Sequence, residues 1–299
     1  MHRDWSGVGT ALVTPFLASG AIDEKTLKSL VARQVDGGID FLVPCGTTGE
    51  TPTLTRDERD RVVRITVEVA AGRVPVLAGV GGYDTHEVAE LAAHTETLGV
   101  QGILSVTPYY NKPTQEGLIQ HYRTIAEHTS LPIIVYNVPG RTGCNVEPRT
   151  LARLAETPNI VGVKEASGNM TQMCEVCRAV PPGFQVLSGD DALALPLMAV
   201  GGRGLISVAS NIVPDRMAKM IDLALAGDFA AAREEHTALL PLMLVNFIES
   251  NPIPVKSAMA SMGLLEEVYR LPMVPPRPAS KQRIDGVLQA LGIGGGVHA

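Results

Sequence analysis

Asn159-Ile160-Val161-Gly162-Val163-Lys164-Glu165 is the stretch on which the fold turns. Its apolar run has no polar face, which is how a strand reads when both sides of a parallel sheet are covered. A lone lysine follows the run, so the strand delivers one cation at its C-terminal end. The same two-sided pattern appears in VPVLAG at 74–79 and PIIVYN at 132–137. Working outward, β-rich runs at Val8–Val13, Phe41–Val43, Val74–Ala78, Gly102–Val106, Pro132–Tyr136, Ile160–Val163, Phe184–Leu187 and Gly204–Val208 are followed by punctuation such as Thr14-Pro15 and Pro44-Cys45-Gly46.

Between these eight runs lie segments of helical period, among them Glu24–Asp36, Asp57–Ala71, Thr85–Leu98, Gln115–His128 and Pro148–Glu156. Thr55 and Glu58 form a capping box for the second. Strand and helix alternating at roughly 20 to 33 residues predict an α/β fold, a (β/α)8 TIM barrel, with a doubly wound open sheet as the alternative. The pattern turns purely helical after residue 227, so a catalytic barrel is expected over 1–227 and a C-terminal helical region over 228–299. Pro-rich breaks stand at Asn251–Pro254 and Leu271–Pro278, and Gly294–Gly296 read as a frayed end.

Composition narrows the function. The 299 residues are 45% hydrophobic and 19% charged, with a formal net charge of -6. Without a run of Lys or Arg, neither nucleic acid nor an anionic membrane is expected as a partner. The start, MHRDWSGVGTALVTPF, lacks a signal-peptide pattern, and no apolar run reaches ~18 residues, so a cytoplasmic protein is expected. Cys45, Cys144, Cys174 and Cys177 are too few and too unevenly spaced for a disulfide framework, and reduced thiols are expected.

Barrel enzymes build their sites at the C-terminal ends of the strands. Gly46-Thr47-Thr48-Gly49-Glu50 can turn successive amides toward one anion such as a carboxylate, or be a plain tight turn. Lys164 can act as a nucleophile for carbonyl carbon if its site disfavours the ammonium, since at a pKa of ~10.4 only about one amine in 10³ is neutral near pH 7. The alternative is a lysine that reaches solvent or pairs with Glu165. Tyr136, Tyr109 and Tyr110 stand at strand ends, where phenols can relay protons or simply form an aromatic wall. Arg141 offers a fork for a second carboxylate, or a surface ion pair. The CxxC at Cys174–Cys177 reads as incidental in a helix, Asp190 and Asp191 as caps of a helix over Ala192–Val200, and Gly201-Gly202-Arg203-Gly204 as a turn on the opposite face. The histidines show no ligand spacing, and no metal is expected.

Taken together, GTTGE (46–50), TPYYNKPTQEGL (107–118), YNVPGRTG (136–143), GVKEASGN (162–169), LSGDDAL (187–193), GLISVASN (204–211) and NPIPVK (251–256) resemble the dihydrodipicolinate synthase and N-acetylneuraminate lyase superfamily, and Arg141 resembles its dihydrodipicolinate synthase branch. The resemblance implies a class I lyase that condenses pyruvate with L-aspartate 4-semialdehyde in the diaminopimelate route to lysine. Lys164 would form the Schiff base, Thr47 and Thr48 would hold the pyruvate carboxylate, and Arg141 that of the semialdehyde. Thr48, Tyr136 and Tyr110 would relay protons, Tyr110 reaching a neighbouring subunit. Main-chain groups at Gly189 and Ile206 would line the pyruvate site. It implies no cofactor and a homotetramer built as a dimer of dimers. Alternatives are another pyruvate aldolase of the superfamily acting on a sugar acid or related keto acid, and a non-catalytic barrel that binds keto acids.

Members inhibited by lysine bind it near the positions of Thr51, Pro52, Arg56, Arg59, Tyr83, Glu87 and Tyr109. Arg56 and Arg59 replace histidines common there and Tyr83 replaces an asparagine, so weak feedback is expected. The plainer reading leaves Arg56 and Arg59 on an exposed helix face balanced by Asp57 and Asp60.

Overall fold

The computed structural model describes residues 3–293, and Gly294–Gly296 lie outside them. Eight strands, β1 (Gly7–Ala11), β2 (Phe41–Val43), β3 (Leu77–Gly79), β4 (Gly102–Val106), β5 (Ile133–Asn137), β6 (Ile160–Glu165), β7 (Gln185–Ser188) and β8 (Gly204–Ser207), pair in parallel in the order β2-β1-β8-β7-β6-β5-β4-β3. The two ends of that order meet through the Leu42–Val76 bridge, where Leu42 N donates to Pro75 O, and through Gly79 N donating to Pro44 O. A parallel sheet closed this way, with helices between its strands, is a (β/α)8 barrel.

Apolar side chains fill two layers. Trp5, Phe41, Val43, Leu77, Leu104, Ile134, Leu187 and Ile206 pack inside the barrel. Trp5 stands edge-to-face on Phe41 with centroids 5.4 Å apart, closing the barrel floor at the N-terminal ends of the strands. The alternate strand residues, such as Ile133, Val135 and Val163, face outward onto helices including Gln115–Glu127 and Met170–Ala179. The helix Arg56–Ala70 opens with the expected Thr55–Glu58 capping box.

A C-terminal helical part follows, with helices Phe229–Val245, Ile253–Ser261 and Pro278–Ala290. Its middle segment is tied into the barrel mouth by charge. Lys256, fully buried, donates to Glu50 Oε1 and to Val268 O, each at 2.6 Å, and its ammonium lies 4.5 Å from the Phe16 ring centroid. The other oxygen of Glu50 accepts from Arg270 N at 3.2 Å, while the Arg270 guanidinium grips Glu58, whose carboxyl it holds down at about 2.

Breaking a buried pair by removing one partner strands the other charge without water, at about 3–5 kcal/mol. Lys256→Met should therefore lower the unfolding free energy by that amount in urea titration, and adding Glu50→Gln should restore part of it. A single variant as stable as the parent chain would show that the pair does not hold the C-terminal part to the barrel.

Candidate active site at the barrel mouth

The aim of Lys164 depends on a bulge. Ile133 pairs with Ile160, yet Ile134 pairs with Gly162, so β6 carries one extra residue against β5. Val161 packs inside the barrel and strict alternation would turn Val163 in and Lys164 out. The extra residue reverses the phase: Val163 packs in the outer layer and Lys164 points inward beside Tyr136, its register partner. Gly162 is required at the bulge, because a Cβ there would lie 2.6 Å from Gln185 O.

Inside, Lys164 is 5% exposed, with Nζ 4.2 Å from the Tyr136 ring centroid. Gly189 lies against its stem, where a Cβ would approach Lys164 Cε to 3.0 Å. The expected partner Glu165 is turned outward and occupied: Oε2 accepts from Asn137 Nδ2 at 2.9 Å and Oε1 from Ser167 N at 2.8 Å. Among the described residues no carboxylate forms an ion pair with Lys164, in contrast to Lys256.

The Gly46–Glu50 loop is a one-turn 3-10 helix, Thr47–Gly49, between two non-glycine residues with left-handed backbone, Cys45 at φ 56° and Glu50 at φ 53°. Such conformations cost on the order of 1–3 kcal/mol each and persist where the surroundings over-determine them. The Lys256 pair holds Glu50, and Thr14 Oγ1 donates to Gly49 O at 2.8 Å. The leading amides of the turn, Thr47 and Thr48, have no acceptor within it and can bind an anion. Thr48 is 2% exposed and its Oγ1 accepts from Asn251 Nδ2 at 2.9 Å. Arg141, in the short helix Pro139–Thr142, donates from Nη2 to Asn251 O at 3.1 Å.

Thr47, Tyr136 and Arg141 line a cavity of about 240 Å³ that also reaches Thr51, Arg59 and Tyr109. Two arginines and no Asp or Glu stand on its wall, which suits carboxylate ligands. Thr48, Lys164, Gly189 and Ile206 lie outside that wall, and Ile206 is fully buried in the barrel interior. No hydrogen bond among the described residues joins Thr48 to Tyr136. Tyr110 stands apart from the cavity wall, 91% exposed and at φ 73°.

Other expectations need correction. Arg59 does not lie on an exposed face: it enters the cavity, donates to Thr51 O at 3.2 Å, and leaves its buried Nε without a partner. Asp60 pairs with His94 at 2.6 Å and so does not balance it. Arg56 and Glu87 are exposed, and Tyr83 stacks edge-on against Tyr109 at 5.4 Å. Of the two aspartates only Asp190 caps, accepting from Ala192 N at 2.9 Å. Asp191 is buried, accepts from Ser207 Oγ and from the amides of Val208 and Ala209, and so anchors the end of β8; burial pushes its carboxyl up to about 6. Cys174 and Cys177 are free thiols on the helix Met170–Ala179. A wider concavity of about 820 Å³, around Arg3, Pro158, Gly183 and Arg203, lies at the strand starts and contains no lysine.

No local pattern marks the bracing roles of Asn251, Glu50, Lys256 and Arg270. Glu50 closes the GTTGE stretch and Asn251 and Lys256 bound NPIPVK, but the contacts that join the two stretches span some two hundred residues, beyond any local spacing rule.

The chain matches the Dihydrodipicolinate synthetase family over residues 4–291. The 4-hydroxy-tetrahydrodipicolinate synthase of Koribacter versatilis is 53% identical over 288 residues, 96% of each chain. That of Nitratidesulfovibrio vulgaris is 51% identical over 97% of this chain and 99% of its own. The crystal structure of dihydrodipicolinate synthase from Aquifex aeolicus superposes with a TM-score of 0.94 at 45% identity, covering 97% of this chain and 99% of that one. A closed parallel barrel, an inward lysine at the end of β6 and full-length similarity at this level lead to one assignment: the chain belongs to the dihydrodipicolinate synthetase family.

Proposed function

We propose that this chain condenses pyruvate with L-aspartate 4-semialdehyde to 4-hydroxy-tetrahydrodipicolinate, on the diaminopimelate route to lysine. The observation that carries the proposal is Lys164, buried at the barrel mouth beside Tyr136 with no carboxylate among the described residues paired to it. Its amine attacks the ketone carbon of pyruvate, and loss of water leaves a protonated imine. That cation is the electron sink, so the methyl group gives up a proton and the resulting enamine attacks the aldehyde. The substrate amine then closes the ring onto the imine carbon and frees the lysine. No cofactor enters.

Thr47 and Thr48 hold the pyruvate carboxylate, with main-chain groups at Gly189 and Ile206 completing that pocket, and Arg141 receives the carboxylate of the semialdehyde. Thr48 and Tyr136 relay protons together with Tyr110 of a neighbouring subunit, whose exposure suits such a reach. Residues 1–227 form the catalytic barrel and 228–299 a helical region that braces its mouth. The working form is a homotetramer, a dimer of dimers, in the cytoplasm; no described helix is long and apolar enough to cross a membrane.

Borohydride added with pyruvate should attach a reduced pyruvyl group to Lys164 and abolish activity, as read by peptide mass mapping. An adduct on Lys256 or Lys112, or none, would sink the mechanism. In the coupled assay Arg141→Ala should leave trapping intact and raise KM for the semialdehyde roughly 10- to 150-fold, the equivalent of a charge-assisted contact of ~1.5–3 kcal/mol.

The shared site has its own test. Tyr110→Phe and Lys164→Ala, each inactive alone, should regain activity when mixed and allowed to exchange subunits. A fully active monomer in the ultracentrifuge would dispose of the idea.

Regulation follows from the cavity. Arg59 enters it as a fixed cation, opposing a ligand with two ammonium groups, while Tyr83 adds bulk beside Tyr109. Millimolar L-lysine should therefore inhibit little in a titration at subsaturating pyruvate. Half-inhibition below about 1 mM, a binding free energy near -4 kcal/mol, would show a working lysine site.

A further inference from the structure

We propose that Asn251 is a positioning residue that sets the direction of the Thr48 hydroxyl proton and the place of Arg141 together. The inference rests on the reading of Thr48 as part of the proton relay.

Three observations meet at this residue. Its Nδ2 donates to Thr48 Oγ1 at 2.9 Å, its main-chain oxygen accepts from Arg141 Nη2 at 3.1 Å, and its side chain is 4% exposed. A hydroxyl has one proton and two lone pairs. The amide occupies one lone pair of Thr48, so the hydroxyl proton is left free for donation elsewhere. Were the amide absent, the buried hydroxyl would turn its own proton to whatever acceptor lay closest. Asn251 transfers no proton: Thr48 gives its proton onward and takes one back at oxygen, and the amide decides which lobe does which. Arg141 is fixed by the main chain of the same residue, so the group that receives the second carboxylate and the relay hydroxyl share one reference point. That point is rigid, since Asn251 opens directly into the helix Ile253–Ser261, whose Lys256 is locked to Glu50, two residues beyond Thr48.

The experiment compares Asn251→Asp and Asn251→Ala in the full chain. Both keep the main-chain oxygen and hence the Arg141 contact. Borohydride trapping of pyruvate on Lys164 should be unchanged and KM for pyruvate should move little, while kcat falls roughly 10- to 100-fold in each. Asn251→Asp carries a distinctive signature. Protonated, the new carboxyl can donate to Thr48 as the amide does; ionised, it can only accept and captures the hydroxyl proton. Its kcat should rise as pH falls through the carboxyl's titration, a limb missing from the parent profile. In a Thr48→Val background neither substitution should lower the residual rate further. A parallel pH profile for Asn251→Asp would overturn the inference, because it would mean that Thr48 donates to the side-chain oxygen. So would a kcat within about twofold of the parent's. Failure of the unsubstituted enzyme to trap pyruvate would overturn the reading of the site itself and this inference with it, whereas trapping with unaltered kcat removes this inference alone. If Asn251→Ala does not fold, the isosteric Asn251→Asp decides the matter by its pH limb.

Discussion

An ammonium and a carboxylate, both stripped of water, govern the barrel mouth: Lys256 against Glu50. Neither charge is tolerable alone at full burial, so wherever one is placed the other must follow. Glu50 is thereby held in left-handed backbone, and the turn bearing Thr47 and Thr48 inherits its position from that constraint. On the other side, Lys256 fixes the helix that begins just after Asn251, whose amide and carbonyl touch Thr48 and Arg141. The groups proposed to bind two carboxylates and to pass protons are thus referenced to a single ion pair that takes no part in chemistry. The helical part is in this sense a wall of the site.

The contrast between two lysines shows what charge placement does. Val163-Lys164 and Val255-Lys256 occupy equally apolar stretches of sequence and both end up buried. Burial works against a charge on Lys256, and a carboxylate, a carbonyl and aromatic faces oppose that by occupying its ammonium. Lys164 has an aromatic face and, among the described residues, no paired carboxylate, because Glu165 beside it is turned outward and held by Asn137. An amine needed as a nucleophile gains from that isolation.

Much of this is legible in the chain. Two-sided apolar runs with turn residues after them locate the eight strands to within about three residues at either end, because covering both faces of a parallel sheet leaves no polar alternation to mislead. Lys164 and Arg141 stand out for the same reason, as lone charges after apolar segments. Three things are not legible. The bulge in β6 is a property of the pairing between two strands, which a single run does not carry, so no local pattern fixes the inward aim of Lys164. Pro278 reads as the end of a break, yet it occupies the first turn of the helix Pro278–Ala290, where its missing N–H does no harm. Arg59 sits on a recognisable helix, but whether it faces solvent or the cavity depends on contacts such as that to Thr51 O, which the helix's own pattern does not carry.

The distance along the chain between Glu50 and Lys256 has a consequence for how the protein is made. A polypeptide leaves the ribosome from its N-terminus at about 5–20 residues per second, so the turn with Thr47 and Thr48 is synthesised well before its brace exists. Until Lys256 emerges, Glu50 has no buried cation to meet, and burying it alone is unfavourable. A nascent chain can therefore assemble strands and helices while its mouth stays unset.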